Sequence, residues 1–308
     1  MALSRNPRST LLRGLATLFL LVAACSREGG EAELRYRRAG HLLEAGKPGA
    51  AVVELKAALE RRPDWAPAER RLGRAYLALG RYEKARAALA RAAELAPENP
   101  EVVLDLAEAE IHLDRLEEAE AHLERYARAV GRTARYLRLR GELAQRRGDP
   151  AAARGHLEAA LAADPDSVPA RLDLARLAVA EDDLEEAARQ LQEAARRRPE
   201  DLEVQYGLAE VAIRRGEFDE ANQILDRIGK IDDRQVLSRL LKVETLLRAH
   251  EDAQALAAAT SLVQERPDLA RAHLLKGLLL LRGRRLEDAV AALTRAATLD
   301  PQDPAAPF

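Results

Sequence analysis

Cysteine occurs once in this sequence, at position 25, so no intramolecular disulfide can form and the folded chain has to be stable without crosslinks. Aromatic residues make up only 3%. That is too few to supply the ring faces on which sugar sites usually depend, and it places direct glycan binding during polymer export behind readings based on protein contacts. No run alternates β-branched and polar residues, which removes the strand signal. Charge of one sign is scarce as well: the formal net charge is −2, too mild to imply a nucleic-acid partner. The six histidines, His41, His112, His122, His156, His250 and His273, include no pair spaced three to five residues apart as a helical zinc motif requires, and they read as helix-surface residues. No glycine is followed by lysine in the phosphate-loop pattern. The many carboxylates sit among arginines at helical spacing and read as solvated faces. Nothing here calls for a metal, a cofactor or a catalytic constellation.

What is present begins at the N-terminus. Arg5, Arg8 and Arg13, with no acidic residue among them, precede an apolar run from Gly14 to Ala24 that ends Val22-Ala23-Ala24-Cys25. A basic segment, a short apolar core and small residues before a cleavage point make a secretory signal peptide. The run is roughly half the ~20 residues needed to span a bilayer. Its last four residues resemble the lipobox of bacterial lipoproteins, in which the peptide is cut before the cysteine and that cysteine carries the acyl chains. The resemblance implies lipid attachment at Cys25, with residues 1–24 removed and residues 25–31 as a tether. It also implies outer-membrane sorting, because Ser26 stands where inner-membrane retention usually has Asp. Loss of three leader arginines would make the mature chain more negative by three.

The rest of the chain repeats every 34 residues without an insertion. With Ala32 as position 1, eight repeats follow: 32–65, 66–99, 100–133, 134–167, 168–201, 202–235, 236–269 and 270–303. A tail covers 304–308. Position 20 is Ala51, Ala85, Ala119, Ala153, Ala187, Ala221, Ala255 and Ala289, and position 24 is leucine in every repeat except the seventh, where Ala259 stands. Small residues dominate position 8, as in Ala39, Gly73, Ala107, Gly141 and Gly277. Together these predict two helices that approach closely, with the leucine filling the gap. Glycine or aspartate at position 15 ends the first helix, and proline at position 32 ends the second. Each repeat is a helical hairpin.

These features resemble the tetratricopeptide repeat. In the second repeat Leu72-Gly73, Tyr76, Gly80, Tyr82, Ala85, Leu89 and Pro97 fall on the family's positions, although Glu69 replaces its tryptophan. The resemblance implies an all-α fold, a right-handed superhelical solenoid of eight 34-residue helical hairpins. The seventh repeat is weakest, with Lys242, Val243, His250 and Ala259 at motif positions, and a looser joint is expected there.

The family lines its concave surface with positions 2, 5, 9, 12 and 13, and those positions imply a groove for a protein or peptide. Positions 5 and 12 give Leu43, Leu77, Leu104, Ile111, Leu172, Val179, Tyr206, Ile213, Leu240, Leu247, Leu274 and Leu281, while position 13 gives Arg146, Arg214, Arg248 and Arg282. Apolar residues flanked by charge fit a peptide or an amphipathic helix. The asparagine that a terminal-carboxylate clamp needs at position 9 is missing throughout. A non-enzymatic, lipid-anchored periplasmic adaptor is the leading expectation, serving an envelope assembly such as an exopolysaccharide exporter. The segment from Val53 to Leu59 weakly resembles repeat lipoproteins of exosortase and exopolysaccharide clusters. A pilotin that escorts a secretin is the alternative. The second helix of the last repeat keeps Val290 and Ala297 where a cap would sit, which implies self-association or a partner at that end.

Overall fold

A computed structural model describes residues 30–231 and 236–300. The proposed leader, Cys25, most of the tether, Asp233, Pro301 and the tail lie outside the described residues. Among those described, the chain is all-α. Helix α1 covers 30–44; α2 (Pro48–Arg61), α3 (Ala66–Ala78), α4 (Tyr82–Leu95), α5 (Pro100–His112), α6 (Leu116–Ala129), α7 (Ala134–Arg146), α8 (Pro150–Ala163) and α9 (Val168–Ala180) follow. Then come α10 (Leu184–Arg197), α11 (Leu202–Arg215), α12 (Phe218–Ile231), α13 (Val236–Arg248), α14 (Asp252–Glu265), α15 (Ala270–Arg282) and α16 (Leu286–Leu299). No described helix is long and apolar enough to cross a membrane. The described residues fall into two compact units, divided between His156 and Leu157 inside α8.

From α3 onward the odd-numbered helices begin at Ala66, Pro100, Ala134, Val168, Leu202, Val236 and Ala270, in phase with the sequence repeat. The reason is local. All eight residues at position 15 have positive φ, from 56° at Arg284 to 78° at Gly216. Two residues before helix resumption, the chain therefore turns in left-handed geometry. The next amide then reaches back five residues, as in Arg81 N–H to Tyr76 O at 2.9 Å and Glu217 N–H to Ala212 O at 2.9 Å, a Schellman closure of the first helix. Glycine or aspartate takes this geometry readily, but His250 and Arg284 take it as well, at a cost on the order of 1 kcal/mol each.

Packing inside the hairpins follows the expected register. All eight position-20 alanines are fully buried, and Leu55, Leu89, Leu123, Leu157, Leu191 and Leu225 are buried beside them. A Cβ built on Gly73 would lie 2.4 Å from Leu89 Cγ, and one on Gly277 2.6 Å from Leu293 Cδ2, so in these hairpins the leucine occupies the space that the missing side chain leaves. Trp65 is buried in the N-terminal core with its ring centroid 4.6 Å from that of Tyr36. In the seventh repeat α13 and α14 bury Val243 and Ala259; the joint leading into α13, at 232–235, lies outside the described residues.

Several polar residues depart from the solvated-face expectation. Asp105, Glu110, Asp173 and Glu186 are buried, as is His273, whose Nε2 lies 3.2 Å from Pro267 O. Asp105 and Glu110 find partners on neighbouring helices, where Arg70 Nε donates to Asp105 at 2.6 Å and His122 Nδ1 lies 2.7 Å from Glu110, whereas Asp173 and Glu186 pair within their own helices, with Arg176 and with Arg189 and Gln190. Burial of a carboxylate is sustained by such pairing.

Candidate functional site

Where the first helices of the C-terminal unit lie side by side they leave an open groove of about 660 Å³. Helices α9, α11 and α13 supply its walls. Val179, Tyr206 and Ile213 give it an apolar centre, bordered by the buried Leu172 and extended by Leu237 and Leu241. Its floor comes from an unexpected direction. Gly207 lets α11 settle onto the position-24 leucine of the preceding hairpin, since a Cβ there would lie 2.7 Å from Leu191 Cδ2. Leu237 is 54% exposed, a large apolar side chain left open to solvent.

The rim is charged and largely self-neutralised. Arg176 pairs with Asp173 at 2.6 Å and also with Glu203. Arg214 pairs with Glu210 at 3.1 Å and donates to the Val179 carbonyl at 3.4 Å. Arg271 pairs with Glu244 at 3.0 Å. Arg248 forms no ion pair among the described residues, and it is exposed.

Of the sixteen groove residues expected from the repeat, this site brings together Leu172, Val179, Tyr206, Ile213, Arg214 and Arg248. The others are placed differently. Leu104, Ile111 and Leu274 are buried, because their side chains fall on the seam where neighbouring helices pack, and they cannot serve as open lining. Leu43 and Leu77 pack against the N-terminal core, and Leu240 and Leu247 against a cluster built on Val243 and Leu246. Leu281 is exposed outside this groove. Arg282 is engaged by Asp252 at 3.3 Å and by the Leu247 carbonyl at 3.3 Å. Arg146 is exposed at the end of α7. Leu286 and Val290 on α16 are 63% and 62% exposed, an apolar face at the last described hairpin.

Glu203 and Leu237 occupy position 2, and Arg176, Glu210 and Glu244 position 9; the family's lining positions would have found them. Nothing in the pattern points to Leu191, Leu241 or Thr245, which become lining only through helix approach.

In the N-terminal unit an ionic ladder replaces the apolar stripe. Arg70 and Arg135 both approach the fully buried Asp105 at 2.6 Å, Arg135 and Arg138 meet Glu108 at 2.5 and 3.0 Å, and Arg138 reaches Glu142 at 3.4 Å. Burial pushes the Glu108 carboxyl up, but Arg135 and Arg138 outweigh it and hold the group below its ordinary value. The converse holds for Arg135, which stays charged against burial because Glu108 and Asp105 face it. These groups satisfy one another, so the ladder is structural.

Family models described as "Tetratricopeptide repeat" match residues 42–97, 82–143, 144–192 and 178–242, and a further one matches 240–304. No curated protein sequence matches the chain significantly. Among solved structures, the thermophilic TPR protein TTC0263 of Thermus thermophilus is 26% identical with a TM-score of 0.54, covering 59% of this chain and 99% of its own. The Pseudomonas aeruginosa pilF structure matches at 18% identity and a TM-score of 0.56, over 67% of this chain and 94% of its own. Yeast Tom70 matches at 17% and 0.55, over 82% of this chain, which spans 56% of Tom70.

Proposed function

Because the chain belongs to the tetratricopeptide repeat family, a fold that serves as a scaffold for protein–protein contacts, we propose that it is a non-enzymatic adaptor whose C-terminal unit holds a segment of a protein partner. The observation that carries this reading is the open groove lined by Leu172, Val179, Tyr206, Ile213, Leu237 and Leu241. An apolar strip of this kind rimmed by charge is a surface that loses contact with water only when something lies in it. The proposed site of action is the bacterial cell envelope, with Cys25 lipidated and the protein held at the outer membrane facing the periplasm. There it would gather components of an assembly such as an exopolysaccharide exporter. The lipobox-like Val22-Ala23-Ala24-Cys25 supports that placement. The exposed Leu286 and Val290 on α16 support a second contact, by self-association or with another component.

A photo-crosslinking residue placed at Leu237 should capture a defined envelope protein in living cells, while the same residue at Arg196, on α10 and away from the groove, should not. Ile213→Glu combined with Leu237→Glu should abolish that product. Equal labelling from both positions, or a product unaffected by the double variant, would refute the groove as the docking site. Metabolic labelling with palmitate tests the anchor in the same strain, since Cys25→Ser should lose the label.

A further inference from the structure

Between Arg125 and Arg147 the sequence holds eight arginines and a single acidic residue, Glu142. Three of the eight are used to build the N-terminal unit: Arg125 donates to the Pro97 carbonyl at 2.6 Å, and Arg135 and Arg138 enter the ladder on Asp105, Glu108 and Glu142. Arg146 points to solvent elsewhere. The remaining four line two adjoining clefts on α6, α7 and the start of α8. One cleft, of about 350 Å³, is bordered by Arg128, Arg132, Tyr136 and Arg140. The other, of about 340 Å³, is bordered by Arg140, Arg147, Asp149 and His156. Arg140 stands between them.

We infer that this pair of clefts is a binding site for a phosphate-class oxyanion, separate from the groove of the C-terminal unit. Its positive charge is only partly met from within. Arg140 and Arg147 share one carboxylate, Glu120, at 3.2 and 2.8 Å. Arg128 and Arg132 form no ion pair among the described residues. Two other acids border the clefts: Glu124, and Asp149, whose Oδ1 already accepts the Ala152 N–H at 2.9 Å. The ring of His156 borders the same cleft. Burial is the first cause that pushes its protonation below the ordinary histidine value, and the charges of Arg140 and Arg132 push it further, against Asp149. Several planar guanidinium forks suit the several oxygens of a phosphate, which a single carboxylate or chloride matches less well.

Two sources of that chemistry exist, a soluble phosphate compound and a phospholipid headgroup. The test uses the full chain carrying Cys25→Ser, so that no acyl chain contributes. The His156 ring is followed by NMR, assigned by its loss in His156→Gln, during titration with inorganic phosphate and with pyrophosphate. Saturable binding that moves His156 protonation to higher pH is expected. The variant Arg128→Gln with Arg132→Gln should weaken it roughly tenfold or more with helicity unchanged, because neither side chain forms an ion pair or hydrogen bond among the described residues. Sedimentation with phosphatidylglycerol vesicles, set against phosphatidylcholine vesicles, separates the sources. Phosphatidylglycerol-specific binding that the double variant loses identifies a headgroup site, and phosphate binding without it identifies a soluble ligand. The inference is overturned if neither anion produces a saturable shift and no phosphatidylglycerol preference appears, or if the double variant binds as the parent does.

Discussion

Replacing Gly73 by alanine tests whether close helix approach, rather than helix propensity, governs the hairpins. In an unconstrained helix the change would stabilise by roughly 0.5–1 kcal/mol, because glycine is the poorer helix former. At Gly73 the new Cβ would lie 2.4 Å from Leu89 Cγ and 2.7 Å from Leu89 Cδ2, against the ~3.5–4.0 Å of ordinary carbon contacts. Leu89 has no room to retreat: it is fully buried, and Ala85 and Ala92 beside it are fully buried too. Overpacking of this kind costs about 1–3 kcal/mol. Set against the propensity gain, the net is a loss of up to about 2 kcal/mol. Gly49→Ala is the control, since nothing lies within 4 Å of its built Cβ and it sits at the start of α2, a helix that shares a buried core with the fluorescence probe. That probe is the only tryptophan, Trp65, 7% exposed and packed on Tyr36, whose emission reports the opening of this part of the array. Local readout matters because repeat arrays need not unfold in one step. In urea, with a slope of about 2 kcal/mol per molar, the two variants should separate by roughly 1 M in midpoint. Adding Leu89→Ala removes the clash, so Gly73→Ala should then cost nothing further beyond the cavity. If Gly73→Ala raised the midpoint as much as Gly49→Ala does, the close-approach account of the hairpin would be wrong.

Arg284 holds the left-handed position at φ 56°, so Arg284→Gly should stabilise the last described hairpin by about 1 kcal/mol, read as a higher melting temperature by circular dichroism. No change would mean that its backbone strain is already relieved. Glu108 sits below its ordinary value in the folded chain, so its ionisation contributes stability that is complete above about pH 4.5 and is lost as pH falls through the folded value. Glu108→Gln should therefore be less stable than the parent at pH 7, and the difference should shrink as pH falls from about 5 to 3. Parallel stability curves over that range would show that the ladder does not depend on this charge.

The hairpin architecture was legible because its determinants are local and recur. Alanine at position 20 and leucine at position 24 sit one turn apart on the same helix, and the turn residue at position 15 acts on its own backbone. The groove was only half legible, since Val179 and Ile111 both occupy position 12, yet one borders an opening and the other is sealed in the core. That difference depends on how closely successive hairpins approach, which a one-dimensional pattern does not carry. Buried charge was missed for a related reason. Asp105 looks like any surface aspartate until Arg70, one repeat and one residue earlier in the chain, is brought within 2.6 Å of it. An offset of one repeat plus one residue is a readable signal, and Arg71 uses the same offset when it donates to the Tyr36 carbonyl at 3.0 Å.

The identical phase of the helix starts makes the chain modular in the genetic sense. Residues 100–133 carry one complete hairpin, α5 and α6, and begin and end at equivalent points of the period. An in-frame loss or duplication of such a segment joins Asn99 or its counterpart to a helix start that is already spaced for it, so the new junction repeats a turn that exists elsewhere in the array. Length can then change in steps of one hairpin through recombination between misaligned copies, with no loop to redesign. Selection can alter reach and lining independently of the fold that supports them.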